Sequence, residues 1–112
     1  KNIIEWSFGS EASPRLKELA TQRMSETRPT VLYGDFIACN NFDISEELSK
    51  VEKPTLILCG TEDKMTPPKY SKLLHEQMPN AELRLIQGAG HMIMLEKPRE
   101  VAEAIERFVE KL

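Results

Sequence analysis

The spacing of apolar residues changes near residue 50, and the change divides the chain into two textures. Before it, short apolar faces recur at helical spacing in a polar background. Ser13-Pro14 has the form of an N-cap followed by a first-turn proline, and Leu16, Leu19 and Ala20 then fall on one face. Arg28-Pro29 opens a second predicted helix with Leu32, Tyr33, Phe36 and Ile37 on its apolar side. Asp43-Ile44-Ser45-Glu46 is an acidic variant of the capping box and predicts a short helical turn ending around Leu48. No stretch of this half reads as a strand.

After Lys53-Pro54 the period shortens. Thr55-Leu56-Ile57-Leu58-Cys59 is a continuous apolar run stopped by Gly60, the pattern of a parallel strand covered on both faces. Thr66-Pro67-Pro68 starts a helix with Tyr70, Leu73, Leu74 and Met78 inward, and Pro79-Asn80 ends it. In residues 81–86, Leu83 and Leu85 alternate with Glu82 and Arg84, which suits a strand with one face partly wet, near a sheet edge. Pro98 opens a last helix carrying Val101, Ile105, Phe108, Val109 and Leu112, the strongest periodic stripe in the chain. Strand, helix, strand, helix predicts an α/β arrangement, a parallel βαβα unit with a right-handed crossover. Two parallel strands leave a sheet edge bare, so this half is expected to end a larger sheet or to pair with another chain.

Bulk properties narrow the possibilities. A length of 112 residues allows one domain or part of one, and 40% hydrophobic with 29% charged residues is globular rather than disordered. A net charge of −3 argues against a nucleic-acid partner, because phosphate binding needs a basic face. No apolar run reaches the roughly 20 residues that span a bilayer. No signal-like segment opens the chain either, which makes the cytoplasm the expected compartment. A first residue that is Lys1 rather than methionine is compatible with a truncated or processed chain. Cys39 and Cys59 lack metal-type spacing; two buried free thiols are expected, with a disulfide as the alternative.

The candidate chemistry sits where the two strands end. Gly60-Thr61-Glu62-Asp63 follows the first, and Gly88-Ala89-Gly90-His91 follows the second. Carboxyl ends of parallel strands are where open α/β sheets gather their sites. An aspartate there can orient a histidine and stabilise its imidazolium form. Each also has a plainer reading: Asp63 as a turn or helix-start acid, His91 as a loop cap. Together, at the same end of adjacent strands and in the order acid then base, they match the nucleophile–acid–histidine order of one hydrolase fold. The nucleophile is the missing part. No Gly-x-Ser-x-Gly elbow occurs, and none of Ser7, Ser10, Ser13, Ser25, Ser45, Ser49 or Ser71 lies in such a context. Cys59, Asp63 and His91 fit no metal-ligand spacing, and no metal or cofactor is expected. His75 reads as a partly exposed helix residue. Met92 and Met94 read as core filler or as the lining of an apolar pocket.

These residues resemble the C-terminal end of the α/β-hydrolase fold, in its branch of esterases, lactonases and C–C bond hydrolases. The matching pieces are Phe42-Asp43, the run from Val51 through Pro54 to Gly60, Glu62-Asp63, Thr66-Pro67 and Met78-Pro79-Asn80-Ala81. Gly88-Ala89-Gly90-His91, Glu96-Lys97-Pro98 and a helix reaching Phe108 complete the match. The resemblance covers residues 44–112 as the last two strands and flanking helices of the core. Residues 1–43 look like a remnant of the helical cap, with residues 35–41 as its return to the core. What the resemblance implies is a serine hydrolase acting on small apolar carboxylic esters without cofactor or metal, with Asp63 as triad acid and His91 as general base. Lacking the elbow and the oxyanion loop, the chain by itself is expected to be inactive, and to form a homo-oligomer or pair with the missing N-terminal portion. The competing expectation is a non-catalytic module that self-associates through its exposed sheet edge.

Overall fold

Proline sets the start of most helices in this chain. The computed structural model describes residues 2–112, and in it α2 (Pro14–Glu26), α3 (Pro29–Asn41), α4 (Pro68–Gln77) and α6 (Pro98–Glu110) each carry proline in the first turn. Proline is tolerated there because the amide it lacks would have no partner within the helix. At α2 the Ser13 hydroxyl accepts from the Leu16 N–H at 3.2 Å, so that N-cap forms as expected. Two short helices went unanticipated, α1 (Asn2–Ser7) and α5 (Ile93–Glu96), the second lying directly beyond His91.

The expected capping box does not form. Asp43 Oδ1 accepts from the Ser45 N–H at 2.9 Å and also pairs with the Ser45 hydroxyl, a bond two residues along instead of three. That local turn leads into a 3₁₀ turn over Ser45–Lys50, which runs past the predicted end at Leu48.

Strands β1 (Thr55–Gly60) and β2 (Ala81–Ile86) pair in parallel, Thr55 opposite Ala81 and Gly60 opposite Ile86. Helix α4 connects them and packs on both, and α6 touches both as well. The strands have equal length and stay in step, so the loops that follow them emerge side by side. That register positions the site. Among the described residues the outer edge of β1 has no partner strand.

Burial departs from the sequence expectation. Ile57 and Cys59 of β1 are buried, but Leu56 and Leu58 are only half-buried, so the strand is not covered equally on its two faces. Ile86 is buried while Leu85, expected inward, is exposed. Tyr70 and Leu73 of α4 are exposed, as are Ile105, Val109 and Leu112 of α6, and Tyr33, Phe36 and Ile37 of α3. The cause is area: a two-stranded sheet cannot cover the apolar faces of every helix flanking it. Both cysteines are free; Cys59 is buried, and Cys39, expected to be buried, lies exposed on α3. The core consists of Phe8, Leu48, Ile57, Cys59, Ile86, Ala89 and Val101. No helix among the described residues is long and apolar enough to cross a membrane.

Candidate acid–base site

The loop after β1 extends the strand ladder. Thr61 N–H donates to Ile86 C=O at 3.0 Å and Glu62 N–H to Ala89 C=O at 2.9 Å. Asp63 comes next and is 7% exposed. Its Oδ1 accepts from the N–H groups of Met65 (3.0 Å) and Thr66 (2.9 Å), a closed local turn that fixes the carboxylate plane. Oδ2 accepts from the Thr66 hydroxyl at 3.0 Å and faces His91 Nδ1 at 3.0 Å. Burial of this carboxylate is therefore matched by four donors, the condition under which a buried charge is tolerated.

The loop after β2 needs unusual backbone. Gly88 has φ +76, a left-handed conformation in which glycine carries no Cβ penalty, and its N–H donates to the Thr61 hydroxyl at 3.0 Å. His91 and Met92 both donate their N–H groups to the Ser7 carbonyl, at 3.0 and 3.1 Å. This anchors the histidine backbone between β2 and α5. Because Asp63 Oδ2 can only accept, the ring proton sits on Nδ1, which lies 3.2 Å from the Thr66 hydroxyl as well. Nε2 is left with its lone pair, on a side chain 37% exposed. An imidazole held in this tautomer can take a proton at Nε2 while the carboxylate stabilises the resulting cation.

Asp63 and His91, far apart in the chain, are thus brought into direct contact. Cys59 does not join them; its thiol turns back to the Gly60 carbonyl at 3.3 Å. His75 is exposed on α4. Among the described residues no three of His, Cys, Asp and Glu gather as a metal site. Ser7 has its hydroxyl committed to the Ile3 carbonyl at 2.6 Å, a bond back along α1. Met92 lines an apolar cavity of about 540 Å³ with Phe8, Leu16, Leu19, Met24 and Leu95, whereas Met94 is exposed. Thr66 escaped the sequence reading. Its signal was the Asp-x-x-Thr spacing, which lets one side chain bond the other's backbone and hydroxyl within a turn.

This fold and pair agree with what the chain is similar to. The model of the alpha/beta hydrolase fold family matches residues 6–98, and the chain belongs to that family. Among curated proteins it is 36% identical over 64 residues to the hydrolase YugF of Bacillus subtilis, covering 57% of this chain and 23% of that one. It is 32% identical over 72 residues to a proline iminopeptidase of Lactobacillus helveticus, covering 64% of this chain and 24% of the relative. Among solved structures, a thermophilic esterase superposes with TM-score 0.86 at 38% identity, over 96% of this chain and 43% of the esterase. A bromoperoxidase from Bacillus anthracis superposes with TM-score 0.86 at 25% identity, over 97% of this chain and 42% of that one. The chain spans about a quarter of the length of the two curated relatives and less than half of either solved structure.

Proposed function

We propose that Asp63 and His91 are the acid and the general base of a hydrolase site that cleaves small apolar carboxylic esters, with a serine supplied from outside the residues described. The observation that carries this reading is the 3.0 Å contact between His91 Nδ1 and the buried Asp63 Oδ2. In the proposed cycle His91 Nε2 takes the serine proton as the oxygen attacks the ester carbonyl. The same proton then goes to the departing alcohol. Water enters next, gives a proton to Nε2, and releases the acid as the proton returns to serine. Nδ1–H stays on Asp63 throughout. The apolar cavity beside Met92 suits the hydrocarbon part of such a substrate. The net charge of −3 does not suit nucleic acid, and two unbridged cysteines suit a reducing compartment such as the cytoplasm. The chain by itself is then inactive, since a base without nucleophile or oxyanion donors has nothing to activate.

A graft tests this. The matching part of the thermophilic esterase is replaced by this chain, and hydrolysis of p-nitrophenyl butyrate is followed. Activity is expected in the graft and not in the chain by itself, and Asp63→Asn should lower kcat in the graft by roughly 10⁴-fold. An active graft indifferent to Asp63→Asn and His91→Ala would refute the assignment. The unpartnered β1 edge and the exposed stripe of Ile105, Val109 and Leu112 favour a second reading, a non-catalytic module that self-associates. Its mark is a concentration-dependent dimer in sedimentation, together with a graft that never gains activity.

A further inference from the structure

Neither loop of the acid–base pair is held by its own strand alone, because residues 7–11 cross both. On the His91 side the Ser7 carbonyl takes two N–H groups, from His91 and Met92. On the Asp63 side the Glu62 carboxylate accepts from the Ser10 N–H at 3.2 Å and from the Ser10 hydroxyl at 3.0 Å. Between these lies Glu96, the last residue of α5. Its Oε1 accepts from the Gly9 N–H at 2.7 Å and from the Gly90 N–H at 3.1 Å, and its Oε2 lies 3.1 Å from the same Gly90 nitrogen. One carboxylate therefore ties the amide next to His91 to the crossing segment.

The backbones meet there without side chains between them. A Cβ on Gly9 would sit 2.7 Å from the Gly88 oxygen and 2.9 Å from the Gly90 nitrogen, and a Cβ on Gly90 would sit 2.6 Å from the Phe8 carbonyl carbon. Helix propensity does not explain where Glu96 lies, because a helix of 4 residues is too short to hold itself. Its place is set by the two amides it accepts from. Bonds to an ionised acceptor are roughly twice as strong as neutral ones.

We propose that Glu96 is a positioning residue: by joining the amides of Gly9 and Gly90 it holds the loop that presents His91 to Asp63. This rests on the acid–base reading of that pair. The test is NMR on the full chain, reading the low-field imidazole N–H proton of His91 and the hydrogen-exchange rates of the Gly9 and Gly90 amides. Glu96→Ala should remove the imidazole signal into fast exchange with water and speed both amides about tenfold or more, with β1–β2 amides unchanged. Glu96→Gln keeps an acceptor but loses the charge, and should fall between Glu96→Ala and the unsubstituted chain. Unchanged signal and rates in Glu96→Ala overturn the proposal. Should that variant not fold, unchanged behaviour in Glu96→Gln overturns it instead. Asp63→Asn separates the two claims: it should abolish the imidazole signal and leave the Gly9 and Gly90 amides slow. A signal that survives Asp63→Asn counts against the acid–base reading, and the two amide rates then judge whether Glu96 holds the loop.

Discussion

Replacing Gly60 with alanine tests the close packing on which the candidate site depends. Gly60 ends β1 opposite Ile86, under the loop that leads to His91. A Cβ there would run into the carbonyl oxygens of Ala89 and Gly90 and lie 2.6 Å from the Ala89 carbonyl carbon. All three are backbone atoms, so no rotamer change relieves them. Ordinary carbon–carbon contact is about 3.5–4.0 Å, so the loop must retreat by about 1 Å. Its far side is closed by Phe8 and Gly9, which leaves the retreat to be shared with residues 7–9. Passed on to His91, the same shift would stretch the 3.0 Å contact with Asp63 beyond hydrogen-bonding range. Overpacking costs about 1–3 kcal/mol, and a lost bond to a buried charged group about 1–3 more. Gly60→Ala should therefore destabilise the chain by about 2–5 kcal/mol. With a urea dependence of about 1–3 kcal/mol per molar, the unfolding midpoint should drop by about 1 M or more. Gly34→Ala is the control: Gly34 lies within α3 with nothing near its Cβ position, and alanine there should stabilise by about 0.5–1 kcal/mol. If Gly60→Ala unfolds at the unsubstituted chain's midpoint and keeps the His91 imidazole signal, the loop is not confined as described.

Two further outcomes follow from named contacts. Thr66→Val keeps the shape of the side chain but removes a donor from Asp63 Oδ2, and should cost about 1 kcal/mol in urea unfolding, while Thr66→Ser should cost less; equal losses would mean that the methyl group matters and the hydroxyl does not. The Glu82 carboxyl is held below its ordinary value chiefly by the Arg84 hydrogen bond, with Lys111 adding to this and burial opposing it. A lowered folded-state value favours the charged form in the fold, so this stabilisation is present above the unfolded-state value and is lost as pH falls through the folded one. Glu82→Gln should flatten that acid limb of the stability–pH curve, and high salt should weaken the effect because the groups are at the surface; an unchanged acid limb would show that the pair contributes nothing.

What could be read from the sequence was what is local. Prolines in first turns, the glycine stop after β1 and the glycines before His91 each act within a few residues, so they were visible without a fold. The Asp63–His91 contact was visible too, because a parallel pair puts both following loops at one end. Thr66 and Glu96 were not. The partners of Glu96, Gly9 and Gly90, are brought to it by two separate backbone crossings that no spacing encodes. Helices α1 and α5, of 6 and 4 residues, are too short to show a period. Periodicity also identified the apolar faces of α4 and α6 correctly without showing that Tyr70, Leu73, Ile105 and Val109 would lie exposed. It reports which side of a helix is apolar, not what covers it.

Burial in this molecule is concentrated at loops rather than along helices. Helices α2, α3 and α4 contain no buried residue, whereas Ser7, Phe8 and Gly9, then Gly60 and Asp63, then Gly88, Ala89 and Gly90 are all buried. These three short stretches meet at one junction, and the Asp63–His91 contact lies at its border. Buried loop backbone is costly unless its polar groups are paired, and here they are paired largely with one another and with the carboxylates of Glu62, Asp63 and Glu96. The carboxylates beside the acid–base pair thus have a structural task separate from proton transfer: they accept from loop amides where no strand or helix supplies an acceptor. An arrangement that turns acids into backbone partners can place a histidine to within hydrogen-bond tolerance on a loop, where packing of side chains alone would leave it free to move.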